Sequence, residues 1–453
     1  MAESTNTIQK EIQEREAKEK RELRRKRRRR NQILAILTLL LFVCLIVAII
    51  GTGVWYIMHR GAGKTAGGGA STTEETTIDN LFESEDEIVK PEETNTEPAL
   101  TPEQQLDAIL DEAFISQMPL EDKVAGLFIV TPESITGVNK AVKAGDGTKD
   151  ALNKYAVGGI VYASQNMQDA AQFTEMVSNT TLYSRYALFT CVAEEGGSST
   201  SLEKAGLADK TDSEQAMGTG ADAAKAYEAS GKIADSMLTY GLNLNFAPVA
   251  DLATVQDSYL MDASYGSDAA LAASFVTSAV QGMQEKGISS CLKYFPGAAD
   301  MKEDPAKGMA SSERTAEQLA AEEFTVFKAG IDAGADMVMV GHVAVPALTG
   351  DNTPCSLSSA VITDKLRNEL GFNGVIITDA MNKGAITEYY EADEAAILAL
   401  KAGCDMILCP DDFEKAYNGV LEAVQNGTIS EERINDSLRR IYRIKYASMM
   451  PEE

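Results

Sequence analysis

From Thr101 to the end of the chain, short apolar runs alternate with longer amphipathic stretches. The runs are four to six residues long and rich in β-branched side chains, which is typical of parallel strands buried on both faces. They are Gly126–Val130, Gly159–Tyr162, Ala187–Val192, Leu242–Ala247, Ser289–Tyr294, Met337–Val340, Val375–Thr378 and Met406–Cys409. Eight strands alternating with helices predict an α/β fold, a TIM-type (β/α)8 barrel over residues 101–450.

The intervening stretches carry helical periodicity. The clearest are Gln168–Thr181, Ala221–Tyr240, Ala269–Lys286, Ala316–Ala333 and Ser359–Leu370, with a closing helix predicted at Glu431–Ser448. A doubly wound open sheet is the alternative fold for such an alternation. It is less well supported, because no glycine-rich nucleotide loop follows the first strand.

The first hundred residues have a different organisation. Residues 1–32 form a basic segment, and residues 33–58 carry no charge over about 26 positions, enough for a single transmembrane helix. Residues 59–100 are too polar to bury a core and are expected to form a flexible, disordered and acidic linker. Because basic segments stay in the cytoplasm, we expect a single-pass cell-membrane protein with a cytoplasmic N-terminus and the barrel outside. A cleaved signal peptide is the rival interpretation, but the apolar run is too long for one.

The charge of the chain restricts its partners. The chain has 41 basic and 68 acidic residues, of which 13 and 6 lie in the first 60, so the remainder has a net charge of −34. A strongly acidic exterior disfavours nucleic acid, whereas glycans or cell-wall sugars are compatible partners. Besides the glycan and the membrane, no partner is indicated, and we expect a monomer. The cysteines show no metal-like spacing and the barrel contains one histidine, so neither a metal nor a cofactor is expected.

Polar residues lie at or just after the ends of five successive predicted strands. They are Glu195, Asp251, Lys293, His342 and Asp379. The carboxyl ends of barrel strands face a common pocket, so these side chains are expected to meet there. Asp379, directly after the apolar run Val375–Thr378, can serve as nucleophile or base in such a pocket. The alternative is that Asp379 only caps the following helix.

Seven motifs, in order, resemble glycoside hydrolase family 3 over Pro102 to Ser448. They are MPLEDKVAGLFIV from Met118, VGGIVYASQN from Val157, EEGG from Glu194, NFAPVADL from Asn245, KYFPGAAD from Lys293, MVGHVAVPAL from Met339 and ELGFNGVIITDAM from Glu369. The sequence is most similar to the β-N-acetylhexosaminidase branch of that family. The resemblance implies a retaining glycosidase in which Asp379 matches the catalytic nucleophile. It also implies that Lys293, His342, Asp251 and Glu195 bind substrate.

The same resemblance exposes a degenerate acid/base loop. In the branch, a histidine and an aspartate on the loop after the fifth strand protonate the leaving group, in a pattern like GDTxxDSH. Here the loop reads AADMKEDPAKG: Asp304 is a possible remnant of that dyad, and Ala306 stands where the histidine is expected. Other departures from the family pattern are Ala193 in place of an aspartate, Ala263 in place of an arginine, and Tyr294 and Ala298 in place of histidines.

Two functions therefore remain open. The first is a membrane-anchored, extracytoplasmic hydrolase of N-acetylhexosamine-containing glycans, in which Glu303, Asp304 or Glu313 supplies the missing proton. The second is a catalytically degenerate barrel that binds glycan or an envelope protein without hydrolysis. A nucleotide or metal enzyme on the same barrel lacks any phosphate loop or ligand cluster.

Overall fold

A computed structural model describes residues 102–297 and 300–447. Its eight strands are all parallel and close into a barrel in sequence order, with β1 paired to both β2 and β8. The strands are β1 Phe128–Val130, β2 Gly159–Val161, β3 Phe189–Val192, β4 Leu244–Asn245, β5 Ser289–Phe295, β6 Met337–Val340, β7 Val375–Ala380 and β8 Met406–Leu408. The predicted TIM-type barrel is confirmed.

Helices surround the strands. The described α-helices are Pro102–Ala113, Leu120–Ala125, Pro132–Thr136, Asp146–Lys154, Ala170–Tyr183, Glu214–Thr219, Ala224–Thr239, Ala269–Gln284, Ala316–Ala321, Glu323–Asp332, Pro346–Thr349, Gly384–Thr387, Ala392–Ala402, Phe413–Gln425 and Glu431–Tyr446. None of the helices in the described part of the chain is long and apolar enough to cross a bilayer. The segments predicted at 1–32, 33–58 and 59–100 lie outside the described residues.

The strand sequences explain the burial of the barrel. Every residue of β1, β3, β6 and β8 is buried, because the strands lie between the barrel interior and the helices. Apolar side chains on both faces of each strand then leave water on folding, which is the main favourable term in forming the core.

Polar caps determine where the long helices begin. Asp169, Asp268, Asp412 and Ser430 each accept a hydrogen bond from the backbone N–H three residues later. Each bond satisfies one of the amide groups that has no partner within the first helical turn. Asp169, Asp268 and Asp412 lie between a strand and the helix that follows it, so these caps help to set the βα boundaries.

Several predicted boundaries were wrong for local reasons. The strand predicted at Leu242–Ala247 is reduced to β4, and the side-chain oxygen of Asn243 accepts the backbone N–H of Thr190. The helix predicted at Ala316–Ala333 breaks at Glu322, and consecutive carboxylates there bind one guanidinium, that of Arg314. Adjacent residues of a regular helix point in different directions, so the break allows this shared contact.

The segment predicted as an α-helix at Ser359–Leu370 is instead π-helical over Ala360–Glu369. The wider turn is visible at its end, where the N–H of Leu370 bonds the carbonyl of Lys365, five residues earlier.

The buried Asp405 fastens the C-terminal helix to the barrel. Its carboxylate accepts the backbone N–H of Ile376 in β7 at 2.9 Å. It also pairs with Arg367, Arg433 and Arg440 at 2.7, 3.8 and 3.0 Å. A fully buried carboxylate is stable only when its oxygens are compensated in this way. The cluster therefore connects β7 to the last helix, Glu431–Tyr446, which carries Arg433 and Arg440.

Candidate active site

Asp379 occupies the penultimate position of β7 and is 5% exposed. Its Oδ1 accepts the backbone N–H of Ala380 at 2.7 Å, and its Oδ2 accepts Nζ of Lys383 at 2.6 Å. The next helix, Gly384–Thr387, has Lys383 at its N-cap position and no side-chain cap. The structure therefore does not support the alternative that Asp379 caps this helix.

The environment of Asp379 keeps its carboxyl ionised. Burial by itself would raise the pKa, but the nearby charge of Lys383 and the hydrogen bonds from Lys383 and Ala380 outweigh burial and lower it. A carboxylate in this state at neutral pH can attack an electrophilic carbon without first losing a proton.

His342 is a buried hydrogen-bonding residue beside Asp379. Its Nδ1 lies 2.7 Å from Oγ of Ser356, and its Nε2 lies 3.0 Å from the carbonyl oxygen of Ala380. Because a carbonyl only accepts, the proton is assigned to Nε2. Burial lowers the pKa of His342, so the ring is neutral. Among the described residues, no group of His, Cys, Asp and Glu side chains is arranged to hold a metal ion.

The remaining sequence-predicted residues form a buried polar cluster at the ends of β3 to β5. Lys293 and Glu195 are ion-paired, with side chains 3% and 7% exposed. Oδ2 of Asp251 accepts the backbone N–H of Tyr294 at 2.5 Å. Another acid, Glu214, accepts the N–H of Val249 at 3.1 Å. Burial, followed by the charge of Glu195, raises the pKa of Glu214 well above its usual value.

A cavity of about 270 Å³ opens beside this cluster. Its wall is built from the loops after β3 and β4 and from the end of β5, and it is lined by Glu195, Ser198, Ser199, Ser258, Tyr259, Leu260, Met261, Asp262, Ala263 and Tyr294. Carboxylate and hydroxyl groups of this kind suit a polyhydroxylated ligand. Ala263 is part of the wall, so the position where the family pattern has an arginine faces the cavity without a charge.

Tyr259 lies near several acids of the pocket. Burial, followed by the charges of Asp251, Tyr294, Asp379 and Asp304, raises the pKa of its phenol. The phenol is therefore protonated at neutral pH and can act as a hydrogen-bond donor.

The loop after β5 does not supply a buried acid among its described residues. The carboxylate of Asp304 caps the short turn Pro305–Lys307 by accepting the N–H of Ala306 at 2.9 Å. Asp300 instead accepts the hydroxyl of Ser312 at 2.6 Å. Glu303 and Glu313 are both exposed, as is Ala306.

The same loop packs closely on the segment that follows Asp379. A Cβ added at Gly384 would lie 2.8 Å from the backbone nitrogen of Gly308 and 2.9 Å from the carbonyl carbon of Lys307. Only glycine permits this approach without a shift. The loop that contains Ala306 therefore lies next to the segment after β7.

Sequence analysis missed three functional candidates. Lys383 and Tyr259 lie in turns, and Glu214 lies at the start of a short helix remote in sequence from the pocket. The closeness of Asp379 and Lys383 in sequence was the one available signal, although the helical rule for opposite charges four residues apart does not apply to a residue in a strand. No comparable signal marked Tyr259 or Glu214.

Comparisons with known proteins agree with this geometry. The profile of the glycosyl hydrolase family 3 N-terminal domain matches residues 119–444. A β-hexosaminidase of Stenotrophomonas maltophilia (strain R551-3) is 30% identical over 284 residues, which cover 60% of this chain and 82% of the relative. A β-hexosaminidase of Xanthomonas campestris pv. campestris (strain B100) is 32% identical over 270 residues, covering 57% of this chain and 79% of the relative.

Solved structures show the same likeness. The family 3 β-N-acetylglucosaminidase from Paenibacillus sp. str. FPU-7 matches with a TM-score of 0.69 and 32% identity, covering 74% of this chain and 64% of that chain. The β-N-acetylhexosaminidase from Beutenbergia cavernae DSM 12333 has a TM-score of 0.65 and 25% identity, covering 73% of this chain and 99% of that chain. The relatives and the matching structures identify a glycosidase of the β-hexosaminidase-like kind. The chain belongs to glycosyl hydrolase family 3.

Proposed function

We propose that this chain hydrolyses β-linked N-acetylhexosaminides with retention of configuration, and that Asp379 is its nucleophile. The observation that carries the proposal is the buried, ionised carboxylate of Asp379 at the carboxyl end of β7. In a barrel enzyme this is the position from which a side chain reaches a bound substrate. The names of the relatives support N-acetylhexosamine as the sugar.

The reaction proceeds by two displacements. An oxygen of Asp379 bonds the anomeric carbon while the bond to the leaving oxygen breaks and its electron pair stays on that oxygen. Water then bonds the same carbon, the ester to Asp379 breaks, and the proton of the water passes to solvent. The cavity lined by Glu195, Tyr259 and Tyr294 lies beside the site and holds the sugar.

Proton donation is the weak part of this site. Ala306 has no acidic group, and the carboxylates of Glu303 and Glu313 are exposed to solvent. General acid catalysis is typically worth about 10²–10⁴-fold in rate. We therefore propose that the enzyme works best on glycosides whose leaving group departs as an anion, and that Asp304 is the closest remnant of the missing acid/base pair.

The location of the enzyme is a further part of the proposal. The uncharged run at 33–58 and the arginines before it support a single-pass anchor with the barrel outside the cell, acting as a monomer on cell-wall sugars or other glycans. Protease added to intact cells tests this. Cleavage of the barrel in intact cells is expected, and protection until the cells are lysed would contradict it.

Hydrolysis of aryl N-acetyl-β-glucosaminides and N-acetyl-β-galactosaminides by the full-length protein tests the activity. The wild type is expected to release the aryl alcohol, Asp379→Asn to lose this activity, and the control Glu422→Gln, at an exposed position on the helix Phe413–Gln425, to retain it. If the folded wild type hydrolyses neither sugar, or if Asp379→Asn remains active, the proposed nucleophile is wrong. Binding of glycans without turnover would then favour the degenerate alternative.

A further inference from the structure

Lys383 binds Oδ2 of Asp379, the carboxylate oxygen that is not held by the backbone. Its Nζ lies 2.6 Å from Oδ2 of Asp379, while Oδ1 is held by the backbone N–H of Ala380. The Ala380 amide is part of β7 and cannot withdraw. The Lys383 side chain is a flexible four-carbon chain that is 26% exposed, so it can leave Oδ2 without moving the backbone.

Two ammonium groups lie close to the ring of Tyr294. Nζ of Lys293 and Nζ of Lys383 are each 5.3 Å from the ring centroid. Lys293 is held by its buried ion pair with Glu195. Lys383 has the more exposed side chain of the two, so it is the cation that can move along the tyrosine face.

Other titratable groups surround Asp379. They are Tyr259 after β4, Cys291 and Tyr294 in β5, His342 after β6 and Cys409 after β8. Burial raises the pKa values of the thiols and phenols and lowers that of the imidazole, so these groups are neutral at pH 7. Lys383 is the neighbour that brings a compensating positive charge directly to the carboxylate.

We propose that Lys383 is a positioning residue that releases Asp379 for attack and then stabilises it as the leaving group of the second displacement. This inference rests on the proposed function. In the first displacement Oδ2 bonds the anomeric carbon and Asp379 loses its charge, so the ion pair with Lys383 opens. In the second, water bonds that carbon, the electron pair of the C–Oδ2 bond returns to Oδ2, and Lys383 pairs with the regenerated carboxylate.

The consequence is that Lys383 slows formation of the glycosyl-enzyme and speeds its breakdown. Pairing with an ammonium lowers the basicity of the carboxylate, which makes it a weaker nucleophile and a better leaving group. Replacing Lys383 by Met keeps a long side chain and removes the charge. The glycosyl-enzyme should then form readily and break down slowly. Arginine in its place keeps the charge and serves as the matched variant.

The test combines one measurement that needs no turnover with one that does. The first is the ¹³C NMR titration of the Asp379 carboxyl in full-length protein with ¹³C-labelled aspartate, assigned by Asp379→Asn. Lys383→Met is expected to raise the apparent pKa of Asp379 by about one unit or more, and Lys383→Arg to leave it near the wild-type value. The second is pre-steady-state release of a nitrophenol, where Lys383→Met is expected to show a burst and an about tenfold slower steady state.

The outcomes separate this inference from the proposed function. An unshifted Asp379 titration, or no burst in Lys383→Met while the wild type shows Asp379-dependent turnover, overturns the role of Lys383 alone. A shifted titration in a protein without any Asp379-dependent turnover shows that the ion pair exists but that Asp379 does not carry out the double displacement. That result overturns both the role of Lys383 and the proposed function. A shifted titration together with the burst supports the inference.

Discussion

Nε2 of His342 lies 3.0 Å from the carbonyl oxygen of Ala380, the residue directly after Asp379 in β7. The other ring nitrogen accepts from the hydroxyl of Ser356 at 2.7 Å. The imidazole thus ties the loop after β6 and the turn that contains Ser356 to the backbone beside the carboxylate. Both ring nitrogens of His342 are thus engaged within the protein, and they hold the backbone of β7 beside Asp379.

Replacing His342 by Ala should therefore lower both stability and activity. The substitution leaves the Ala380 carbonyl and the Ser356 hydroxyl without their partner, at a cost of about 1–3 kcal/mol for each buried group left unsatisfied. Urea unfolding measures the free energy, and hydrolysis of an aryl glycoside measures the effect on Asp379. Ser356→Ala is the control: it removes one bond and leaves the contact to Ala380, so it should cost less in both assays.

Because Lys293 and Glu195 form a buried ion pair, removing one charge should destabilise the fold more than removing both. Lys293→Met alone leaves the charge of Glu195 buried and should destabilise the fold by about 3–5 kcal/mol. The double variant Lys293→Met/Glu195→Leu removes both charges and should recover much of that loss. Guanidinium unfolding of the two variants beside the wild type measures this. Equal destabilisation by the single and double variants would show that the charge of Glu195 is compensated by other groups.

Glu214 predicts a pH-dependent stability. Burial raises its pKa above 4.5, so its neutral form is favoured in the folded state. Its contribution to stability is complete below pH 4.5 and is lost as the pH rises through the folded-state pKa, at about 1.4 kcal/mol per pH unit.

Glu214→Gln keeps an oxygen to accept the Val249 N–H and cannot ionise. The variant should match the wild type near pH 4.5 and exceed it in stability at pH 8, measured by urea unfolding at both values. Glu303→Gln, at an exposed position on the loop after β5, is the control and should show no such gain in stability at pH 8. A Glu214→Gln variant that gains nothing at pH 8 would mean that the acid is ionised in the folded protein.

The absence of a buried acid on the described part of the loop after β5 predicts a strong dependence on the leaving group. Rates for a series of aryl N-acetyl-β-glucosaminides should fall steeply as the pKa of the released phenol rises, because the oxygen leaves without a proton. A plot of log(kcat/KM) against that pKa measures the slope. A flat plot, together with a loss of activity in Asp304→Asn, would instead identify Asp304 as a working acid.

The sequence was sufficient to predict the barrel. β-branched runs such as Val375–Thr378 indicate buried parallel strands whatever their neighbours are, and β6 begins and ends where predicted. Strand ends depend on contacts that a local pattern does not contain. The side chain of Asn243, for instance, binds the backbone N–H of Thr190 beside the shortened β4.

The candidate site stays a prediction, but the sequence was enough to group several of its residues. Asp251, Lys293 and Asp379 lie at or just after the ends of predicted strands, so topology alone brings them to one end of the barrel. Lys383 and Glu214 join them through a turn and a short helix whose paths depend on tertiary packing. Their partners could be identified only from the folded structure.

The most direct test of the account is the mass of the protein after mixing with an aryl 5-fluoro-N-acetyl-β-glucosaminide that has a good leaving group. The ring fluorine slows breakdown of the glycosyl-enzyme, so that it accumulates even with Lys383 in place. Quenching in acid followed by mass spectrometry should show one added 5-fluoro-N-acetylglucosaminyl unit on the peptide that contains Asp379, and none in Asp379→Asn. A turnover-competent protein without any adduct on that peptide, or with the sugar attached to another residue, would contradict the central claim that Asp379 is the nucleophile.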